Sequence, residues 1–291
     1  MRQDSHLRIG PAGNSESFYA AGFKQTAETF AWQRERFGLD AFEVPFGRGL
    51  GMSGETARLI GRAAQDADVA LSAHAPYYIN LANPDPGLAQ KSINYILDTA
   101  RLLDLMGGRR VVVHVGSPKG QSREEAMDLC ALRLKQARSA LLERGLSHIQ
   151  LCLETMGRLS VLGTLDEVLR LTLLDESFLP CIDFAHLHAA GQGAMDGTEA
   201  FAGVLDEIEA ALGLDRARQL HIHFSRIEYG TKGEIRHKTF DDTGYGPDFS
   251  RLAPLLANRR YHGTAICESR GTMAEDAALM RQEMLRQLNL Q

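Results

Sequence analysis

Short apolar runs alternate with longer amphipathic segments eight times along this chain of 291 residues. Strands that alternate with helices build parallel sheets covered by helices, so this repetition restricts the fold more than any other feature. The runs VVVHV and IQLCLE are almost continuously apolar, as expected for parallel strands that are covered on both faces. The sequence predicts strands near 7–10, 41–46, 70–75, 111–115, 149–154, 179–184, 219–224 and 264–268.

The segments between these strands have the period and the end signals of helices. Residues 87–107 and 122–145 carry apolar side chains three and four positions apart. Ser53 and Thr164 are placed to cap two further helices. No Pro/Gly/Ser-rich linker divides the pattern, and no glycine-rich phosphate loop follows the first strand. We therefore predict an α/β fold with one domain over residues 1–291, a (β/α)8 TIM barrel with its active site at the C-terminal rim.

The composition favours a soluble globular protein. Charged residues make up 24% of the chain and apolar residues 44%, which is ordinary for a soluble globular protein. The net charge of -5 argues against a polycation that coats nucleic acid. The four cysteines form no CxxC pair, and Cys152, Cys181 and Cys267 lie in apolar runs that predict buried thiols. Without a signal-type or membrane-spanning stretch, we expect a cytoplasmic monomer that does not enter membranes.

Ligand-type residues recur at the predicted strand ends. Six consecutive strands, from the third to the eighth, finish in His, Asp or Glu. These ends meet at one rim of a parallel barrel, where crowded carboxylates would repel one another unless a cation compensates them. Mixed nitrogen and oxygen ligands suit Zn²⁺ or Mn²⁺. The residues concerned are His74, His114, Glu154, Asp183, His186, His223 and Glu268.

Several longer motifs carry a family resemblance over nearly the whole chain. They are HAPYYINLANP (74–84), HVGS (114–117), ET (154–155), CIDFAHLHAAG (181–191), HFS (223–225), RHKTF (236–240) and ES (268–269). In this order they closely resemble the endonuclease IV family. The resemblance implies a barrel of the xylose isomerase-like superfamily that cleaves double-stranded DNA beside abasic sites with three metal ions.

The resemblance also implies a set of ligands for each of three ions. We therefore expect two or three bound Zn²⁺, with Mn²⁺ as an alternative. A first metal would be held by three residues, and Glu154 would bridge to a second. Glu154 and Glu268 would be the catalytic carboxylates, with Glu268 beside the attacking water as a ligand, a base or both. The first set is His74, His114 and Glu154; the second is Glu154, Asp183, His223 and Glu268; the third takes His186 and His237.

Substrate contacts are expected around the same rim. In the family the loop at 74–84 pushes side chains into the DNA helix, and Tyr77 and Tyr78 occupy those positions here. Basic residues in loops of this face would suit an anionic substrate. The long segment 226–249 is predicted to be a loop that covers or borders the site. The predicted substrate-binding residues are Tyr77, Tyr78, Asn80, Ser117, Arg226 and Arg270.

Three departures from the family put the DNA substrate in question. Ile235 stands where the family has an Asp ligand for the third metal, which leaves Glu234 or Glu228 as nearby substitutes. Ser225 and Arg226 follow His223, whereas the family has Asn-Asp. The loop at 46–54 lacks the longer polar stretch that contacts DNA.

Two other functions therefore stay open. A sugar isomerase or epimerase of the same superfamily needs one divalent ion on a Glu-Asp-His-Glu set, and Glu154 and Glu268 would shuttle the proton. The additional imidazoles at His74, His114 and His186 favour the nuclease. A metal-stabilised scaffold without catalytic activity is the third reading.

Overall fold

Eight parallel strands form the centre of the computed structural model, which describes residues 6–47 and 49–290. All eight predicted strands are confirmed, with ends that shift by no more than a few residues. The strands are β1 (Arg8–Pro11), β2 (Ala41–Pro45), β3 (Ala70–His74), β4 (Arg110–Val113), β5 (Gln150–Glu154), β6 (Leu179–Asp183), β7 (His221–Phe224) and β10 (Thr264–Cys267).

The sheet closes on itself into a barrel. Its order is β1-β10-β7-β6-β5-β4-β3-β2, with every pair parallel. The two ends meet through a parallel bridge between Ala12 and Glu43, and the amide of Asp40 donates to the carbonyl of Ile9 at 3.1 Å. The predicted (β/α)8 TIM barrel is therefore confirmed. The assignment of residues 1–291 to one domain stays a prediction, and residues 1–5, 48 and 291 lie outside the described ranges.

Helices cover the outer face of the sheet, and their starts follow the capping signals in the sequence. The side chain of Ser53 accepts from the amide of Thr56, and Thr164 forms a capping box with Glu167. The helices are α1 (Glu16–Ala20), a 3-10 turn (Thr26–Glu28), α2 (Thr29–Phe37), α3 (Gly54–Asp66), α4 (Pro86–Leu105), α5 (Arg123–Glu143), α6 (Leu165–Thr172), α7 (Phe184–Ala190), α8 (Thr198–Leu212), α9 (Leu214–Ala217), α10 (Phe249–Asn258) and α11 (Met273–Leu288). None of the helices in these ranges is long and apolar enough to cross a membrane.

Alternation along each strand divides the core into two layers. On β4, Val111 and Val113 pack into the apolar layer between sheet and helices, whereas Val112 joins Cys152 and Cys181 in a small cluster within the barrel. Cys152, Cys181 and Cys267 are buried free thiols, as predicted, and so is Cys130. Burial raises the pKa of Cys152 to about 12, so this thiol stays protonated.

The segment after β7 departs from the prediction of a long loop. Its first part is an antiparallel hairpin of β8 (Arg226–Gly230) and β9 (Gly233–Lys238), so the prediction was wrong there. Gly233 has a φ of +92°, and a side chain on it would collide with the carbonyl of Gly157, which explains the glycine at this tight approach. Ile227 is buried against α7. The hairpin therefore borders the C-terminal rim.

Candidate metal centre

Glu154 lies at the centre of the rim, fully buried at the end of β5. One carboxylate oxygen, Oε2, lies 2.8 Å from Nε2 of His114 and 3.2 Å from Nε2 of His74. The other, Oε1, lies 3.1 Å from Nδ1 of His223. The carboxylate thus faces imidazoles from strands on both sides, which is the position required of a bridge between two ions.

A second group shares Glu154 and has two further carboxylates. Ligand atoms of Glu154, Asp183, His223 and Glu268 all lie within 4.8 Å of one another. Asp183 Oδ1 caps α7 by accepting from the amide of His186 at 2.7 Å. Its buried Oδ2, 3.4 Å from His186 Nδ1, makes no hydrogen bond within the described ranges. A buried carboxylate oxygen without a hydrogen-bond donor is suited to bind a cation.

The third group combines Asp183, His186 and His237, whose ligand atoms also lie within 4.8 Å of one another. Glu234 adds a carboxylate to this group, with Oε2 3.6 Å from Nε2 of His186. The hairpin explains why: Glu228 pairs with Arg236 and Tyr229 with Glu234, so Ile235 is the extra residue of a bulge. A bulge turns the neighbouring side chain to a different face, and here Glu234 turns toward the rim.

Ile235 and Glu228 are both directed away from this third group. Ile235 is 52% exposed. The carboxylate of Glu228 is engaged by Arg236 at 2.7 Å and by Lys238 at 3.2 Å. Of the two acidic candidates predicted to replace the family's Asp, only Glu234 therefore borders the third group.

Hydrogen bonds on the outer side of the rings fix which imidazole nitrogen is available to a metal. His74 Nδ1 lies 2.7 Å from the carbonyl of Ala75, and His186 Nδ1 lies 2.9 Å from the carbonyl of Thr155. A carbonyl only accepts, so each Nδ1 carries a proton and each Nε2 is the nitrogen that would bind a metal in place of its own proton. This outer support is typical of metal-binding histidines.

Ser225 supports His237 in the same way. Its hydroxyl donates to the carbonyl of Arg226 at 2.9 Å, so it accepts from Nδ1 of His237 at 2.7 Å. The Nε2 of His237 is thereby left as the ligand atom. The serine that departs from the family motif thus has a defined structural role.

Ionisation in the cluster reflects strong coupling between imidazoles and carboxylates. Burial alone would lower the pKa of His74, but the hydrogen bond and charge of Glu154 raise it to about 9. Burial likewise opposes the charges of Asp183 and Glu154 at His186, whose pKa is raised to about 9. Burial raises the pKa of Glu268, whereas His114 and His223 hold that of Glu154 well below its ordinary value despite burial. Positive charge balances the carboxylates here, and divalent ions on these nitrogen and oxygen atoms would fill that role.

A buried polar layer beneath the rim was missed in the sequence. Glu43 on β2 is fully buried; its Oε2 accepts from Ser72 Oγ at 2.8 Å and lies 2.9 Å from His221 Nε2. Its Oε1 lies 3.1 Å from His223 Nε2. The signal was present, because Glu43 alternates with Phe42 and Val44, which pack toward the helices. His221 also lies in the barrel core, and burial lowers its pKa to about 4.

The predicted DNA-contacting tyrosines lie at the mouth of the site in different settings. The Tyr77 ring is 5.0 Å from the ring of His74 and 5.6 Å from that of His114, so it borders the first ligand group. Burial and the charges of nearby carboxylates raise its pKa to about 12, which keeps it a neutral phenol. Tyr78 packs edge-on against Tyr95 and is 52% exposed.

The other predicted substrate contacts are spread around the rim. Asn80 and Ser117 bond to each other and tie the loop after β3 to the loop after β4. Arg226 is half-buried at the start of the hairpin, and Arg270 is exposed just after Glu268. Their contacts with a substrate stay predictions.

Comparison with known proteins places this geometry in a family. The family model of the xylose isomerase-like TIM barrel matches residues 33–288. The chain belongs to this family. An uncharacterized protein of Methanocaldococcus jannaschii is 31% identical over 234 residues, which cover 80% of this chain and 83% of that protein. A probable endonuclease 4 of Oleidesulfovibrio alaskensis is 30% identical over 220 residues, covering 74% and 72% respectively.

Solved structures share the fold. Endonuclease IV from Thermus thermophilus is 23% identical with a TM-score of 0.65, covering 91% of this chain and 95% of that one. A D-tagatose 3-epimerase-like protein is 18% identical with a TM-score of 0.67, covering 87% and 90%. The predicted resemblance to endonuclease IV is confirmed. The D-tagatose 3-epimerase-like protein shares the fold.

Proposed function

We propose that this chain is a metal-dependent phosphodiester hydrolase of the endonuclease IV type, which cleaves double-stranded DNA 5′ to abasic sites as a monomer. The observation that carries the proposal is that three ligand groups share members. Glu154 belongs to the first and second groups, and Asp183 belongs to the second and third. Shared carboxylates bring cations close together, as a centre with two or three Zn²⁺ requires, and Mn²⁺ is the alternative ion.

The contacts support three ligand sets. His74, His114 and Glu154 would hold one ion, and Glu154 would bridge to a second with Asp183, His223 and Glu268. His186 and His237 would hold a third, and Glu234 supplies the carboxylate that Ile235 cannot. When bound, the ions would supply Lewis-acid stabilisation of the phosphate and of the leaving oxygen.

The protein groups have separate tasks in this proposal. Glu154 and Glu268 are the catalytic carboxylates. Glu268 lies 3.4 Å from His223 Nδ1, where it would take a proton from an attacking water. Tyr77 lines the site over the first ligand group. Both Tyr77 and Tyr78 are more than half exposed, so both rings are available for insertion between bases. Arg226 and Arg270 offer positive charge to the DNA backbone, and Asn80 and Ser117 support the tyrosine loop.

One observation favours a second candidate, a sugar or sugar-phosphate isomerase or epimerase. Glu154, Asp183, His223 and Glu268 form a group that is sufficient to hold one divalent ion. The D-tagatose 3-epimerase-like protein has the same fold. In that reaction the two glutamates would move a proton at a carbon next to a carbonyl. The additional groups around His74 and His186 are not required for it.

A cleavage assay separates the two candidates. The zinc-loaded protein is incubated with a duplex oligonucleotide that carries one abasic site, with and without a chelator, beside an undamaged duplex and a His186→Ala variant. We expect chelator-sensitive cutting 5′ to the abasic site and a severe loss in the variant. No cutting, with clearly fewer than two ions bound per chain, would contradict the nuclease and direct the search to small sugars.

A further inference from the structure

A fully buried carboxylate lies directly behind one of the proposed metal ligands. His223 directs Nδ1 toward Glu154 and Glu268, at 3.1 and 3.4 Å, and its Nε2 toward Glu43 Oε1, at 3.1 Å. Glu43 Oε1 and His223 Nε2 are both buried and have no hydrogen-bond partner in the described ranges. Each atom is therefore available to the other at the 3.1 Å distance of their ion pair.

The other oxygen of Glu43 is held from two sides. Ser72 Oγ donates to Oε2 at 2.8 Å, and His221 Nε2 lies 2.9 Å from the same atom. Because an ionised carboxylate only accepts, the proton in this contact is on Nε2 of His221, which donates to Glu43 Oε2. Two donors thus anchor one oxygen of Glu43 and leave the other directed at His223.

We propose that Glu43 is a positioning residue that holds His223 with its proton on Nε2 and with Nδ1 open to the metal of the second ligand group. A carboxylate behind a ligand histidine orients the ring and makes the metal-bound nitrogen more basic. Glu43 comes from β2, which is separated from β7 by β1 and β10 in the closed sheet, so it acts across the barrel interior. This inference rests on the proposed metal centre.

Zinc affinity measured by competition with a chromophoric chelator tests the inference without relying on activity. Glu43→Gln keeps the shape of the side chain but removes its charge and one acceptor oxygen. We expect one bound Zn²⁺ to be weakened by about 10- to 100-fold, the range found for outer carboxylates of ligand histidines. Activity lost in this variant should return at high zinc concentration, whereas a merely misfolded site would not respond.

Ser72→Ala is the matched control, because it removes a donor to Glu43 Oε2 and leaves the contact between Oε1 and His223. We expect its zinc affinity to change by about threefold or less. If the wild-type protein binds no Zn²⁺, the metal centre itself is refuted. If the wild type binds Zn²⁺ and Glu43→Gln binds it equally well, only the role of Glu43 is refuted.

A measurement on the wild type covers the case in which Glu43→Gln does not fold. In the zinc-loaded protein, nitrogen NMR of the histidine rings should show His223 with the proton on Nε2 and the metal on Nδ1. The opposite assignment, with the proton on Nδ1 and the metal on Nε2, would overturn the proposal.

Discussion

Asn80 connects the loop that carries Tyr77 and Tyr78 to the loop after β4. The hydrogen bonds of its side chain allow the loss of folding stability in Asn80→Ala to be calculated. Its Oδ1 accepts from the amide of Ser117 at 3.0 Å and from that of Ala82 at 3.1 Å. Asn80→Ala leaves both amides without this acceptor. A buried donor left unsatisfied costs about 1–3 kcal/mol, and the half-buried Ser117 amide is nearer the lower end.

We therefore expect Asn80→Ala to lower the free energy of unfolding by about 2–4 kcal/mol. Urea unfolding of the metal-free protein measures this directly, from the shift of the midpoint at constant slope. Bound zinc should stay unchanged, because Asn80 contacts none of the proposed ligands in the described hydrogen bonds. Affinity for abasic DNA should fall, because the loop that presents Tyr77 and Tyr78 is loosened.

Ser117→Ala is the control for this experiment. It removes only the 3.3 Å contact between the Ser117 hydroxyl and Asn80 Nδ2, and both amides keep their acceptor. We expect a change of about 0.5 kcal/mol or less. A loss below about 1 kcal/mol for Asn80→Ala, or equal losses in the two variants, would refute the assignment of Asn80 as the tie between the loops.

Further predictions concern the metal centre. Glu154→Gln should abolish turnover of either proposed substrate, since a neutral amide bridges cations poorly; full activity would refute the ligand assignment. His186→Ala should be severe for abasic-site cleavage and mild for sugar isomerisation, as compared by kcat/KM on the two substrates. Glu234→Gln should lower the number of bound Zn²⁺, measured by elemental analysis, whereas Glu228→Gln should not; equal effects would contradict a role for the bulge. Because the pKa of His74 and His186 is about 9 without metal, binding must displace protons, so chelator competition should show affinity rising from pH 7 to 9; a flat profile would contradict this.

The fold was predictable because each barrel strand is a short apolar run bounded by helix signals. β4 and β5 are covered on both faces, so their central side chains are all apolar and the strands are visible without knowledge of their partners. The hairpin of β8 and β9 was not predicted, because its residues are largely polar. Its structure depends on packing against α7 and on the tight approach of Gly233 to Gly157, which are tertiary contacts.

The candidate ligands were predictable because a parallel barrel converts a position in the sequence into a position in space. Each of His74, Glu154 and Asp183 is the last residue of its strand, so all three must reach the same rim. The choice of Glu234 over Glu228 was open in the sequence. It depends on a one-residue bulge at Ile235, and the position of a bulge follows from packing rather than from residue type.

Glu43 was not predicted for a different reason, which is its depth in the barrel. The predicted ligands lie at strand ends on the rim, whereas Glu43 lies one layer deeper on a strand whose end carries no ligand-type residue. The same residue pairs with Ala12 where the sheet closes, and its carboxylate reaches His223 from the far side of the interior. Closure of the barrel and orientation of a proposed metal ligand therefore depend on one strand. A charged residue between two core-facing apolar positions of a barrel strand should accordingly be examined for contact with the rim ligands above it.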